Sequence, residues 1–184
     1  MIARTYPSEM TQHRLNTRVI EVFAKQSNDP NSKVSTNALT LFMQLVPLMP
    51  KLIESNLSVL SNEVFNCFAQ KTEVRELAFV LFDLIASKVE NWMLVQHLCN
   101  GALYGSAKGK VNILVKLIKV LPSAFREKKN IVEKHVYNLI NKLADDLKGE
   151  VAPVLKELVN VIVELGGDEA YSVLKQPAKN LIAS

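Results

Sequence analysis

Apolar residues recur along this chain at helical spacing, in blocks that are each entered through a short polar run. Leu77, Val80, Leu81, Leu84 and Ile85 follow KTEVRE, and Val151, Leu155, Leu158, Val159 and Ile162 follow DDLKGE, in steps of three and four. Four such blocks stand out: SNDPNSKVSTNALTLFMQLV (27–46), FAQKTEVRELAFVLFDLIA (68–86), GSAKGKVNILVKLIKVL (105–121) and DDLKGEVAPVLKELVNVIV (145–163). Each turns on a valine, Val34, Val74, Val111 or Val151, and the pivots are 40, 37 and 40 residues apart. Between the blocks lie partner segments with their own apolar stripes: MTQHRLNTRVIEVFAK, KLIESNLSVLSNEVFNCF, NWMLVQHLCNGALY and EKKNIVEKHVYNLINKLA. The pattern predicts helix, short turn, helix, four times over.

That period suits a HEAT or armadillo helical hairpin. The punctuation agrees: Pro47 and Pro50 are expected to end the second helix, Pro122 the sixth, and Gly166 with Gly167 the eighth. DEAYSVLKQPAKNLI adds a capping helix that Pro177 should break or kink. No window alternates strictly and no hairpin dipeptide joins two β-branched runs, so no strand is expected. The fold class is therefore all-α, an α-solenoid of about four HEAT-like hairpins with a C-terminal cap. Its expected bounds are a flexible segment at 1–11, the array at 12–165 and the cap at 166–184, with no boundary inside the array.

Composition changes this picture little. Of 184 residues 48% are hydrophobic and 7% aromatic, enough for a packed core, and 22 basic against 18 acidic residues give a net charge of +4 and a pI near 9.0. The excess favours acidic partners but is mild for a dedicated nucleic-acid binder, and no aromatics interleave with the lysines. Cys67 and Cys99 have neither disulfide-framework nor CxxC spacing, which fits a reducing cytosol. The N-terminus lacks a signal-peptide apolar core, and no apolar window reaches the ~20 residues that span a bilayer, so an intracellular chain off the membrane is expected.

Candidate chemistry is sparse. GSAKGKV has three residues, not four, between Gly105 and Gly109 and a valine where a phosphate loop needs Ser or Thr, so it reads as an interhelical turn. His13, His97 and His135 are scattered, and His97 and Cys99 are two apart, which puts them on different helix faces. Asp83, Glu90, Asp145, Asp146 and Glu150 do not converge in one apolar window. No cofactor and no catalytic residue is predicted. Trp92 is expected to cover the seam between repeats, with a partner anchor as the alternative.

The polar turns differ because they recur. They carry Asn31, Ser32, Lys33 and Asn37; then Lys71, Thr72 and Arg75; then Lys108 and Lys110; then Lys148. In a solenoid such turns line one edge. Basic residues at helix starts oppose the helix dipole, at a cost of a few tenths of a kcal/mol, and an anionic ligand accounts for them. The alternative is that they are solvated surface.

NSKVSTNALTLFMQLV and AQKTEVRELAFVLFDLIA resemble the intra-repeat turns and second helices of TOG domains, the HEAT-like arrays of microtubule polymerases and CLASP-type regulators. The resemblance covers about residues 12–165 and suits the third to sixth repeats of such an array. It implies a non-enzymatic, microtubule-associated module whose turn edge binds acidic tubulin. Ser32, Lys33 and Asn37 would then serve in the third-repeat turn, Lys71, Thr72 and Arg75 in the fourth, Lys108 and Lys110 in the fifth, and Lys148 in the sixth. It also implies a cytoplasmic place on the cytoskeleton: microtubules, spindle, centrosome or cilium. The departure is the first-turn aromatic, usually tryptophan, which nothing before residue 12 supplies. The other reading is a HEAT scaffold for another protein or for a homodimer, joined through Leu15, Val19, Val22 and Phe23 on the first helix.

Overall fold

The computed structural model describes residues 15–145, 147 and 149–183. The expected N-terminal segment, His13, Asp146 and Lys148 lie outside them, as does the side chain of Leu15. Among the described residues all regular structure is helical. The order is α1 (Leu15–Ser27), α2 (Ser32–Leu45), a 3-10 turn (Val46–Leu48), α3 (Pro50–Ser55), α4 (Leu57–Cys67), α5 (Thr72–Ala86), α6 (Asn91–Tyr104), α7 (Ala107–Asp145), α8 (Val151–Val173) and α9 (Gln176–Ala183). The helices pack in pairs, as expected for a helical repeat, and contacts divide the chain into two compact units, the first ending at Val89 and the second beginning at Glu90.

In the first unit α1 packs on α2 and α4, α2 on α5, and α4 on α5, so hairpin lies against hairpin. Ser35, Leu39 and Phe42 are buried from α2, as are Val74, Ala78, Leu81, Phe82 and Ile85 from α5, all at helical steps. Of the residues that the scaffold reading places on an exposed seam, Val22 is exposed, whereas Phe23 is buried, 7% exposed, because its ring stacks on Phe42 at 3.8 Å and 11°. The partner segment 51–68 was expected as one helix and is two. At Asn56 the backbone leaves the helix (φ −116°, ψ 17°) and the side-chain amide donates to the Leu52 carbonyl at 2.9 Å, a local bond that competes with the helix ladder. Pro47 sits in the 3-10 turn and Pro50 opens α3, where a missing N–H costs nothing.

In the second unit α6 packs on α7, α7 on α8 and α9, and α8 on α9. Pro122 does not end its helix: α7 runs through it and breaks only at Lys128 (φ −150°, ψ 69°). Leu117, Val120, Leu121 and Ala124 are buried on both sides of the proline. Burying each leucine contributes about 1.5–3 kcal/mol, which offsets the ~3 kcal/mol that an interior proline costs. Gly167 does break α8, with φ 62° and ψ −149°, but the chain regains helix as far as Val173. Pro177 was expected to break the cap; the break falls at Leu174 (ψ 140°), and Pro177 lies in the first turn of α9, which tolerates it.

The repeat period is written into hydrogen bonds within each unit. The Cys67 thiol meets the Ser27 carbonyl, and the Lys129 ammonium meets the Glu169 carboxylate, in both cases across 40 residues. Among the described residues no helix is long and apolar enough to cross a membrane.

Gly167 yields a direct test. A Cβ there meets nothing within 4 Å, so the cost of Gly167→Ala is purely that of the backbone, about 1–3 kcal/mol. Urea denaturation should show that loss; a variant as stable as the parent would contradict the glycine-only conformation.

Candidate functional site

The first two polar turns of the first unit are built as one piece. α1 ends at Ser27, whose hydroxyl donates to the Ala24 carbonyl at 2.8 Å. The chain then reverses through an Asx-type turn: the Asn31 N–H donates to Asp29 Oδ1 at 2.8 Å, and the Lys33 N–H to Asn31 Oδ1 at 3.0 Å, which caps α2. Ser35 Oγ donates to the Asp29 carbonyl at 2.8 Å and pins the turn onto the helix it precedes.

Asn28 joins this turn to the next. Its amide donates to Glu63 Oε2 at 2.6 Å and to the Glu63 carbonyl at 3.3 Å, while its Oδ1 accepts from Gln70 Nε2 at 3.0 Å. The buried Cys67 thiol donates to the Ser27 carbonyl at 3.3 Å beside it. A shallow cleft of about 240 Å³ results, lined by residues of both turns, among them Asp29, Ser32, Gln70 and Lys71. Two of the sequence-predicted residues, Ser32 and Lys71, therefore share one cleft. Asn28, Glu63 and Gln70 were not foreseen. Asn28 and Gln70 belong to the recurring polar turns, but Glu63 lies inside α4 and nothing in its sequence neighbourhood marks it.

The other predicted residues are distributed as follows. Lys33 and Thr72 are exposed in the first turns of α2 and α5, and Lys71 is the N-terminal flanking residue of α5, which has no side-chain cap. Arg75 is half-buried; its Nη2 donates to Thr72 Oγ1 at 3.4 Å and its Nε lies 3.9 Å from Glu76. Asn37 faces away from the cleft and lines an apolar groove between α1 and α2. Asp29, Glu73 and Glu76 match Lys33, Lys71 and Arg75 in number, so this part of the edge is not strongly basic.

In the second unit the α6–α7 turn is more basic. Lys108 is exposed and Lys110 half-buried, with no acidic residue between Gly105 and Asn112. Gly105 closes α6 with its N–H on the Gly101 carbonyl at 2.8 Å, and a Cβ at this position would collide with that carbonyl. Ser106 Oγ accepts from the Gly109 N–H at 3.2 Å and starts α7. GSAKGKV thus joins two helices, without the preceding strand that a phosphate loop requires. Tyr104, 78% exposed beside this turn, was not singled out from the sequence, where it reads as the end of an apolar stripe. Trp92 is half-buried, its indole N–H donating to Glu90 and its backbone N–H to Glu127 Oε2 at 3.0 Å.

Burial pushes the Cys67 and Cys99 thiols up to about 12, so both stay protonated at neutral pH. Burial also lowers His97 and His135; the charge of His135 adds to the effect at His97, and that of Lys134 at His135. No group of three or more His, Cys, Asp or Glu side chains gathers as a metal site among the described residues.

Fold and turns together define a helical-repeat protein with polar intra-repeat turns. No protein-family profile matches the chain. The chain is distantly similar to TOG array regulator of axonemal microtubules protein 1, a TOG-domain protein. Identity is 23% over 125 residues with the Mus musculus protein and 22% over 121 residues with the Homo sapiens protein, 65% of this chain in each case. The chain spans about 7% of the length of these relatives.

Two tests arise from this geometry. Asn28→Ala leaves the Glu63 carboxylate and the Gln70 amide without their partner and is expected to cost about 1–3 kcal/mol; Asn28→Asp, which sets a second carboxylate against Glu63, should cost more. Urea midpoints check this, and a neutral Asn28→Ala would contradict the tie. For the histidines, the folded chain binds protons less readily than the unfolded chain, whose value lies near 6.5. Their contribution is therefore fully present above about pH 6.5 and is lost as pH falls toward the lowered folded values. Unfolding midpoints should decline over that window and decline less in His97→Gln/His135→Gln; an identical decline would contradict the assignment.

Proposed function

We propose that this chain is a non-enzymatic, microtubule-associated TOG-like module that binds tubulin through its intra-repeat turns. The observation that carries the reading is the joining of the 28–32 and 70–71 turns into one cleft, in a chain similar to a TOG array regulator. The relative is named for axonemal microtubules; the same partner is proposed here, with a cytoskeletal location. Lys33, Lys71, Lys108 and Lys110 have no ion-pair partner among the described residues, which leaves them available to an acidic surface. Ser32, Thr72 and Arg75 supply hydrogen-bonding groups near the helix starts, Asn37 stands a turn further along α2 on its groove side and contributes least, and Lys148 is proposed for the fourth turn. Arg75, already held by Thr72 and Glu76, contributes less than the free lysines. Tyr104 adds an aromatic contact beside Lys108 that salt does not screen.

Exposed charge pairs contribute about 0.2–1 kcal/mol each, so reversing two lysines weakens docking roughly tenfold or more. Gel filtration with soluble tubulin at low and high salt is the test. The parent chain should co-elute at low salt and separate at high salt, whereas Lys71→Glu/Lys108→Glu should separate at both with its helicity unchanged. Co-elution of that variant like the parent would overturn the reading.

A further inference from the structure

α2 is apolar on two sides, and among the described residues only one of them is fully covered. Ser35, Leu39 and Phe42 are buried on one side, where Phe42 stacks on Phe23 of α1. Val34, Ala38, Leu41 and Leu45 form a second stripe, at steps of three and four, along the other side. α1 presents Val19 and Val22 toward the same space. The two helices enclose a groove of about 590 Å³, with Phe23 and Phe42 at its floor. Val22 is 56% exposed and Leu41 57%, high values for large apolar side chains so close together. A trough between two helices, lined by two apolar stripes of helical period, matches a third amphipathic helix in shape.

The charges around the groove narrow the choice of occupant. Arg18 and Lys25 are seven residues apart on one flank of α1, both exposed. Along the outer flank of α2 stand Lys33, Asn37 and Gln44, and α2 contains no acidic residue. Glu21, the only carboxylate of α1, lies farther round that helix, away from the groove. Both rims are therefore basic or neutral. A second copy would set basic rim against basic rim, and residues 1–11 carry one arginine and one glutamate, so they have no acidic excess to offer.

We propose that this groove is a docking site for the apolar face of an acidic amphipathic helix from a partner protein. The groove and the turn cleft share no lining residue. Although Lys33 and Asn37 stand between the two, the substitutions that test the groove fall at Arg18, Val22, Lys25 and Leu41, none of them in the proposed tubulin edge. Val22 and Leu41 would enter the partner's apolar stripe, while Arg18, Lys25 and Lys33 meet the carboxylates that flank it.

The test uses the full chain and two fluorescein-labelled helical peptides of about 18 residues, both with leucines at a helical period, one flanked by glutamates and the other by lysines. Fluorescence anisotropy should show the glutamate peptide binding at least roughly tenfold more tightly than the lysine peptide. Val22→Glu/Leu41→Glu, changed at exposed positions, should lose roughly tenfold or more of that affinity, and Arg18→Glu/Lys25→Glu should reverse the preference between peptides. No binding of either peptide, or equal binding of both, overturns the proposal. A dimer in sedimentation that Val22→Glu/Leu41→Glu abolishes would assign the groove to a second copy instead. Binding that appears only after removal of residues 1–11 would assign it to the chain's own segment.

Discussion

The rest of the structure depends on one interaction: the covering of each helix's apolar stripe by the neighbouring hairpin. A helix of the length of α2, 14 residues, is marginal alone in water. It gains its stability by burying Leu39 and Phe42, at about 1.5–3 kcal/mol each. Because the stripe returns every 37 to 40 residues, the same solution is reused. Within the first unit α1 meets α4 and α2 meets α5, like against like. The force that holds the hairpins together is thus also the one that brings equivalent turns close.

Apolar packing is tolerant, however, and does not by itself fix the spacing of two turns. Polar bonds of defined geometry supply the register. Asn28 is held by Glu63 and Gln70, and Cys67 by Ser27, so the first turn cannot slide against the second without leaving partly buried groups unpaired. Ser32 and Lys71 gain a constant relation from this network although neither belongs to it. Free lysines on turns held in this way form a surface with a shape, and a shaped surface can select among acidic partners.

Much of this was legible in the residues. The valine pivots gave the hairpin period, the helical steps gave the all-α class, and the segment read as NWMLVQHLCNGALY is α6 to the residue. The sequence signals failed where tertiary burial overrode local preference. Pro122 was read as a stop, but the leucines around it are buried deeply enough to carry the helix past it. Asn56 carried no visible break signal because its effect comes from a side chain turning back on its own helix. The scaffold reading placed Phe23 on an exposed seam, since spacing cannot reveal that a phenylalanine one helix away stacks on it. At the turns the candidate residues were readable as types, but their grouping was not. Ser32 and Lys71 share a cleft, Asn37 belongs to a groove, and the neighbouring carboxylates offset the cations of the first unit.

Docking of the turns on tubulin is the central functional claim, and hydrogen–deuterium exchange of the chain with and without soluble tubulin tests it most directly. Slower exchange is expected at the amides of residues 29–33, 70–73 and 106–110, with the interior of α4 and the middle of α8 unchanged. Unchanged exchange at all three turns in the presence of saturating tubulin would contradict turn-mediated docking, as would protection confined to the face that carries Val22 and Leu41.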